Sequence, residues 1–344
     1  MMGENLLLQT KLYMPQTRTD SVARPRLLSK LKQNDQKRLV LVSAPAGYGK
    51  TTLITTWLAQ REDVAACWLS LDEDDSDPQQ FFRYLAAAIR PLPGAQAQLA
   101  QLLQADQALP TKTVSQIFIQ DIISVSKPFV LVLDDYHVID SIEIDQAVAY
   151  LLEWMPPQMT LAITSRNDPG FPLSRLRARR HLLELRADDL RFTKAEAAEF
   201  LQQSVGMSLT ANQITALEAR TEGWIAGLQM AAIALQNRSE SRVGEFVANF
   251  TGSHRFVLDY LVEEALFQQP ASIQSFLMAT SILDRLSGPL CDAVMKTAVS
   301  QTVLEKLERD NLFIIPLDDE QIGSVVYGKS VDLGSRRIIK KKKE

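Results

Sequence analysis

The sequence predicts an α/β fold over its first 190 residues and a mainly helical chain beyond, on three observations. Five short, mostly apolar runs alternate with helical patterns between residues 38 and 190, as strands do when helices cover both faces of a parallel sheet. The first run passes directly into Ala44-Pro45-Ala46-Gly47-Tyr48-Gly49-Lys50-Thr51, which a helical pattern follows. Near residue 191 the strand-like runs give way to amphipathic helices.

Residues 1–36 form a leader, broken at Met14-Pro15 and Arg24-Pro25, with a short helix over Leu27 to Lys32. Strands are predicted at Leu39–Ser43, Ala66–Leu71, Phe129–Leu133, Met159–Thr164 and His181–Leu185. A helix runs from Thr52 to about Ala59, and Asp77-Pro78 is an N-cap followed by proline that opens another through Ile89. Residues 94–108, rich in Gln, Ala and Leu, read as a further surface helix. Thr193 and Glu196 fit a capping box, and helical patterns then cover about 211–220, 224–237, 255–267 and 271–280. The predicted domains are the leader, a nucleotide-binding sheet domain over 37–190, a helical domain over 191–240, a mainly helical unit over 241–320, and a basic, disordered tail over 321–344.

The chain has 37 basic and 41 acidic side chains, a net charge of −4 that offers no attraction for nucleic acid. Its two cysteines, Cys67 and Cys291, show no metal or redox spacing and read as buried residues of a reducing compartment. The apolar Leu6-Leu7-Leu8 is too short for a signal peptide and no apolar run approaches a membrane span, so a cytoplasmic protein without membrane partners is expected.

A strand, a glycine loop and a helix make the context of a phosphate-binding P-loop. Gly47 and Gly49 let successive backbone N–H groups turn inward, and the helix that follows presents its positive end to the same anion. Lys50 would reach the β- and γ-phosphates and Thr51 would ligate Mg²⁺. The first position of the motif, usually Gly, is Ala44 here. The run Phe129–Leu133 ends in Asp134-Asp135. Asp134 would hold the metal, largely through water, and Asp135 would orient or deprotonate the attacking water; the plain alternative is a solvated Asp-Asp turn. Arg166 follows the next strand on the same edge of the sheet, where it could sense the γ-phosphate or stand as a surface residue. Arg175, Arg177, Arg179 and Arg180 read as a solvated helix face rather than a nucleic-acid patch, and His137, His181 and His254 as core or polar surface residues.

The leader Leu7–Leu12 with Arg24-Pro25-Arg26, the loop Ser43–Thr52, Trp68–Asp72, Leu133–His137, Thr164-Ser165-Arg166, Thr221–Gln229, His254–Leu261 and Thr280–Leu286 together resemble the MalT-like, LuxR-family, ATP-dependent regulators of the STAND class of P-loop NTPases. The resemblance implies a P-loop NTPase sheet flanked by helices, then a helical domain and a winged-helix-like unit. It also implies a switch: ADP holds a closed monomer, inducer and ATP open it, the ATP state self-associates to activate transcription, and slow hydrolysis resets it. Carried over by motif, Ala44, Pro45, Ala46, Gly47, Tyr48, Gly49, Lys50, Thr51, Thr52 and Arg166 hold ATP or ADP, with Arg24 near the adenine. Thr51 and Asp134 hold Mg²⁺, and Asp135 and Lys50 serve hydrolysis. Ile225 stands where many of the wider class carry a nucleotide-touching Pro. The resemblance ends near Glu320, short of the family's repeat sensor and helix-turn-helix, which predicts a truncated or frameshifted member without direct DNA binding. A metabolic P-loop ATPase or kinase, or a DNA binder acting through 241–320, are the alternatives.

Overall fold

The computed structural model describes residues 7–16, 22–32, 37–104, 109–205, 209–236, 240–250, 260, 266–267, 269–283 and 286–309, with short strand pairs at 314–315, 324–325, 332–333 and 336–337. Through their own contacts the residues divide into two units. The first contains Arg24–Ala44 and Lys50–Asp189; the second contains Pro45–Gly49 and the chain from Leu190 onward.

The first unit is built on a five-stranded parallel sheet of order β2-β3-β4-β1-β5. The strands are β1 (Leu39–Ser43), β2 (Ala65–Ser70), β3 (Phe129–Asp134), β4 (Met159–Ser165) and β5 (Leu182–Leu185). Each lies within a residue or two of its predicted run, because a strand covered on both faces must be apolar throughout. β1 shows the rule at its limit, with all five residues fully buried. It pairs with β4, Leu39 opposite Leu161 and Ser43 opposite Ser165, and on its other side with β5. This register sets Ser43, Asp134 and Ser165 at one edge of the sheet, the carboxyl ends of its strands.

The flanking helices are α1 (Pro25–Lys32), α2 (Lys50–Ala59), α3 (Pro78–Ile89), α4 (Gln98–Gln104), α5 (Thr111–Ile123), α6 (Ile142–Trp154), α7 (Ser174–Ala178) and α8 (Ala187–Leu190). Asp77 caps α3 as predicted, its Oδ1 accepting the Gln80 N–H at 2.8 Å. A core of Leu, Ile, Val and Phe side chains, including Leu41, Phe81, Phe118, Leu131, Ile144 and Ile163, joins the sheet to α3, α5 and α6. The leader is pinned by one buried cation. Lys11 Nζ reaches Asp72 at 2.6 Å and Asp75 at 2.8 Å, and lies over the Tyr84 ring. Burial alone would lower its pKa, but the two carboxylates more than offset this and raise it.

The second unit begins with α9 (Lys194–Val205), α10 (Ala211–Thr221) and α11 (Ile225–Gln236), which pack together. The predicted box at the start of α9 is present, with the Thr193 N–H donating to Glu196 Oε2 and the Glu196 N–H to Thr193 Oγ1. A second box, Thr210 with Gln213, opens α10. Beyond α12 (Glu240–Asn249), helices α13 (Ala271–Thr280), α14 (Gly288–Met295) and α15 (Ser300–Arg309) share a small core of Ile273, Phe276, Leu277, Cys291, Leu304 and Leu307. The predicted helix over 255–267 and His254 lie almost wholly outside the described residues, as does most of the tail, where Ile314–Ile315 pairs with Ser324–Val325 and Asp332–Leu333 with Arg336–Arg337. Both cysteines are free and buried, and burial pushes the Cys67 thiol up to about 12. Among the described residues no helix is long and apolar enough to cross a membrane.

Candidate functional site

The loop after β1 has the conformation its glycines allow. Gly47 and Gly49 have φ of +77° and +72°, in the left-handed region that a β-carbon disfavours. Two carbonyls of the loop are held within the second unit. Trp224 Nε1 donates to the Ala46 carbonyl at 3.1 Å, and the Ala226 N–H donates to that of Gly47 at 3.0 Å. Fixing carbonyls in this way also fixes the direction of the amides that share their peptide planes. A β-carbon on Gly47 would fall 2.5 Å from that of Ala226 and 3.0 Å from both Trp224 Nε1 and Tyr260 Oη, so close packing as well as φ requires glycine. Tyr48 is buried.

Ala44 ends the strand in full burial, its N–H bonded to the Ser165 carbonyl. Lys50, the first residue of α2, is buried and turns its Nζ back to the Ala44 carbonyl at 2.9 Å. Burial lowers its pKa to about 8, the positive Arg166 adds to the effect, and Asp135 and Asp134 oppose it. An ammonium stripped of water in this way is suited to receive an anion. Thr52 is exposed on α2, and its carbonyl accepts the hydroxyls of Thr55 and Thr56. Arg24 is buried at the entry to α1, where its carbonyl accepts the N–H groups of Leu27 and Leu28.

Asp134 closes β3 and is buried. Its Oδ1 accepts the Thr51 hydroxyl at 2.9 Å and the Thr164 hydroxyl at 2.5 Å. Burial and the neighbouring Asp135 nonetheless raise its pKa to about 6. A carboxylate so deprived of water gains from a cation, and the Thr51 hydroxyl beside it supplies a second oxygen. Both suit Mg²⁺, which takes few protein ligands and completes its shell with water and phosphate. The described residues contain no cluster of three or more His, Cys, Asp or Glu that could cage a metal unaided.

The Asp135 N–H donates to Thr164 Oγ1 at 2.9 Å, and the residue takes a left-handed conformation with φ of +61°. Arg166, half-buried just beyond β4, is close enough for its charge to lower the pKa of Lys50 and of His137. The structure therefore brings Lys50, Thr51, Asp134, Asp135 and Arg166 to one edge of the sheet. Two members are not foreseen from the sequence. Thr164 is the hydroxyl that links the two aspartates, and its only signal is a polar residue at the end of an apolar strand. His137, expected in a core or polar surface role, is partly buried near Arg166 and Lys50, because the turn after Asp135 folds back as a 3-10 helix, Tyr136–Val138.

The arginines of α7 are matched by carboxylates. Arg175 and Arg179 bond Glu153, Arg177 forms a two-point bond with Glu184, and Arg186 joins Glu184 and Asp168.

Residues 25–164 match the AAA ATPase domain family and residues 262–324 the MalT winged helix domain family. The HTH-type transcriptional regulator MalT of Klebsiella pneumoniae (strain 342) is 35% identical over 318 residues, 91% of this chain and 35% of that protein. MalT of Yersinia pestis (strain Pestoides F) is likewise 35% identical, over 319 residues. The chain thus spans about a third of the length of these relatives. A STAND protein with a tetratricopeptide repeat sensor from Pyrococcus horikoshii aligns over 92% of this chain and 42% of its own, at 15% identity and a TM-score of 0.45. From the two domain matches and the shared identity, the chain is similar to MalT regulators over 91% of its length, with one segment matching the AAA ATPase domain family and a later one the MalT winged helix domain family.

Proposed function

We propose that this chain is the nucleotide-binding switch module of a MalT-like transcriptional regulator. It binds ATP and ADP with Mg²⁺, hydrolyses ATP slowly and self-associates in the ATP state. The observation that carries the reading is the meeting of a buried Lys50 and the Thr51–Asp134 hydroxyl–carboxylate pair at one sheet edge, in a chain that enters Lys50 from a left-handed glycine loop. Loop amides from Ala46 to Thr51 face the phosphates, and Lys50 exchanges the Ala44 carbonyl for a phosphate oxygen. Thr51 and Asp134 would hold Mg²⁺, which would supply charge neutralisation at the phosphates. The Thr51 hydroxyl oxygen would hold the metal, its hydrogen then donated elsewhere than to Asp134. Asp135 accepts a proton from the attacking water, and Arg166 answers the charge of the terminal phosphate. The leader near Arg24 contributes to the adenine side.

Fluorescent ADP and ATP analogues titrated into the purified chain test the reading. Native protein is expected to bind in the micromolar range or tighter, and Lys50→Ala to lose at least about 100-fold, the loss of one charge-assisted contact to phosphate at about 3 kcal/mol. Equal affinity in the two proteins refutes the site. ATP turnover that rises severalfold with a small-molecule phosphate acceptor would identify a kinase instead.

A further inference from the structure

The geometry points to His137 as the positioning residue for Asp135, the side chain that holds its carboxylate on the line of water attack. This rests on the hydrolytic reading above and adds a residue to it.

The backbone of Asp135 is committed before its side chain is. Its N–H is tied to Thr164 Oγ1, whose own hydroxyl is given to Asp134. The left-handed φ of +61°, costing about 1 kcal/mol for a non-glycine residue, then turns Asp135 away from the buried place of Asp134. The side chain of Asp135 is half exposed and needs a partner to fix its direction. Among the described residues, His137 brings its Nδ1 to 3.8 Å from Oδ1, and Lys50 is near enough to act on the same carboxylate by charge without fixing its direction. That distance is beyond a hydrogen bond and within reach of one when a site tightens around its ligand.

His137 is held in place for this. Its turn is anchored on one side by Tyr136, whose hydroxyl donates to Asp145 at 2.8 Å and whose ring packs edge-on against Phe171. On the other side the Val138 N–H donates to the Asp135 carbonyl at 3.2 Å. The Nδ1 atom is buried without a hydrogen-bond partner, and such an atom carries a cost until it finds one. Burial, with Arg166 and Lys50 nearby, keeps the imidazole neutral. A neutral ring has one N–H to donate, and a carboxylate can only accept. Nδ1–H to Asp135 Oδ1 is therefore the bond the arrangement prepares. The proton attacking water loses still passes to Asp135; His137 exchanges none.

A double-mutant cycle separates this from a structural role. Asp135→Asn is expected to lower kcat for ATP by about 100-fold or more, as removal of a general base does. His137→Phe, which keeps a ring and loses the donor, should lower kcat by about 10-fold or more and leave the affinity for an ATP analogue within about 3-fold. In the Asp135→Asn background His137→Phe should cost nothing further, since the carboxylate it orients is gone. His137→Asn, with an amide nitrogen near the place of Nδ1, should restore at least a third of the native kcat. An independent readout uses the nucleotide-free protein. The chain has only three histidines, so ¹⁵N-histidine labelling gives few signals and His137→Asn identifies the relevant pair. Asp135→Asn should shift the His137 Nδ1 resonance, and no shift overturns the pairing even if nucleotide turnover is never seen. Additive losses in the cycle, or a fall in analogue affinity beyond about 10-fold in His137→Phe, also overturn it. Equal binding by native protein and Lys50→Ala instead removes the nucleotide reading and leaves the resonance test standing.

Discussion

Replacing Gly47 by alanine tests the loop where both its backbone and its packing require glycine. A left-handed φ of +77° costs a residue with a β-carbon about 1–2 kcal/mol. The new methyl would meet the Ala226 β-carbon at 2.5 Å, and relieving such overpacking costs about 1–3 kcal/mol. Together the loss is about 2–5 kcal/mol, which at about 2–4 °C per kcal/mol for a unit of this size lowers the midpoint by roughly 4–20 °C. Two controls sharpen the comparison. Gly49→Ala shares the backbone term, with φ of +72°, but meets only the flexible Cδ1 of Ile225 at 3.1 Å, so it should lose about 1–2 kcal/mol. Gly244→Ala lies in α12 with nothing within 4 Å and should gain about 0.5–1 kcal/mol, the usual benefit of removing glycine from a helix. Scanning calorimetry on the three variants reads the order directly. Equal midpoints for Gly47→Ala and Gly49→Ala would refute the packing argument, and a Gly47→Ala protein as stable as the native one would refute both terms.

Two further outcomes are expected. The pKa of Asp134 is about 6, above the ordinary 3.8, so folding favours its protonated form. The stabilisation is complete below about pH 4 and disappears as pH rises through 6, and a difference of about two in pKa is worth on the order of 3 kcal/mol. Metal-free Asp134→Asn should therefore melt several degrees above native protein at about pH 7.5 and near it at about pH 4.5, while losing the native response to Mg²⁺ and nucleotide; a variant less stable at both pH values defeats the desolvation argument. Trp224→Phe keeps the ring packed near Tyr260 and removes the donor to the Ala46 carbonyl, which should cost about 1 kcal/mol. Stopped-flow release of a fluorescent ADP analogue should then be about 5-fold faster, and an unchanged rate would show that this bond does not hold the loop.

The sheet was legible because burial on both faces leaves no freedom in composition. Every residue of β1 and β3 is buried, and an uninterrupted apolar run such as Leu39-Val40-Leu41-Val42, stopping short at a polar turn, fits a covered strand far better than a helix or a loop. Helices were legible where a capping residue announced them, as at Asp77 and Thr193. Helices α5 and α6 went unpredicted, and in both the start carries no side-chain cap bond, since α5 follows Pro110 and Ser141 leaves its hydroxyl out of the cap. Their apolar spacing, Val114, Phe118 and Ile122, then Ile144, Val148 and Leu151, was present without punctuation. The meeting of Lys50, Thr51 and Asp134 at one sheet edge was legible because a P-loop motif sets those residue types in that order along strand, loop and helix. The places of His137 and Thr164 were not, because they follow from where a left-handed Asp135 sends the chain, and a single aspartate carries no mark of its φ.

The paired charges around β5 bear on what this protein does at high concentration. β5 is four residues long and, among the described residues, pairs on one side alone, with β1, as an edge strand does. Glu184 in its middle is gripped by Arg177 and Arg186, which sets an ion cluster along that border. An incoming strand would have to strip water from three charges before making its first ladder bond. The arginines that look in the sequence like a docking patch thus discourage chain-to-chain stacking, and neutralising Glu184 and Arg177 together would be expected to bring turbidity before any loss of folding.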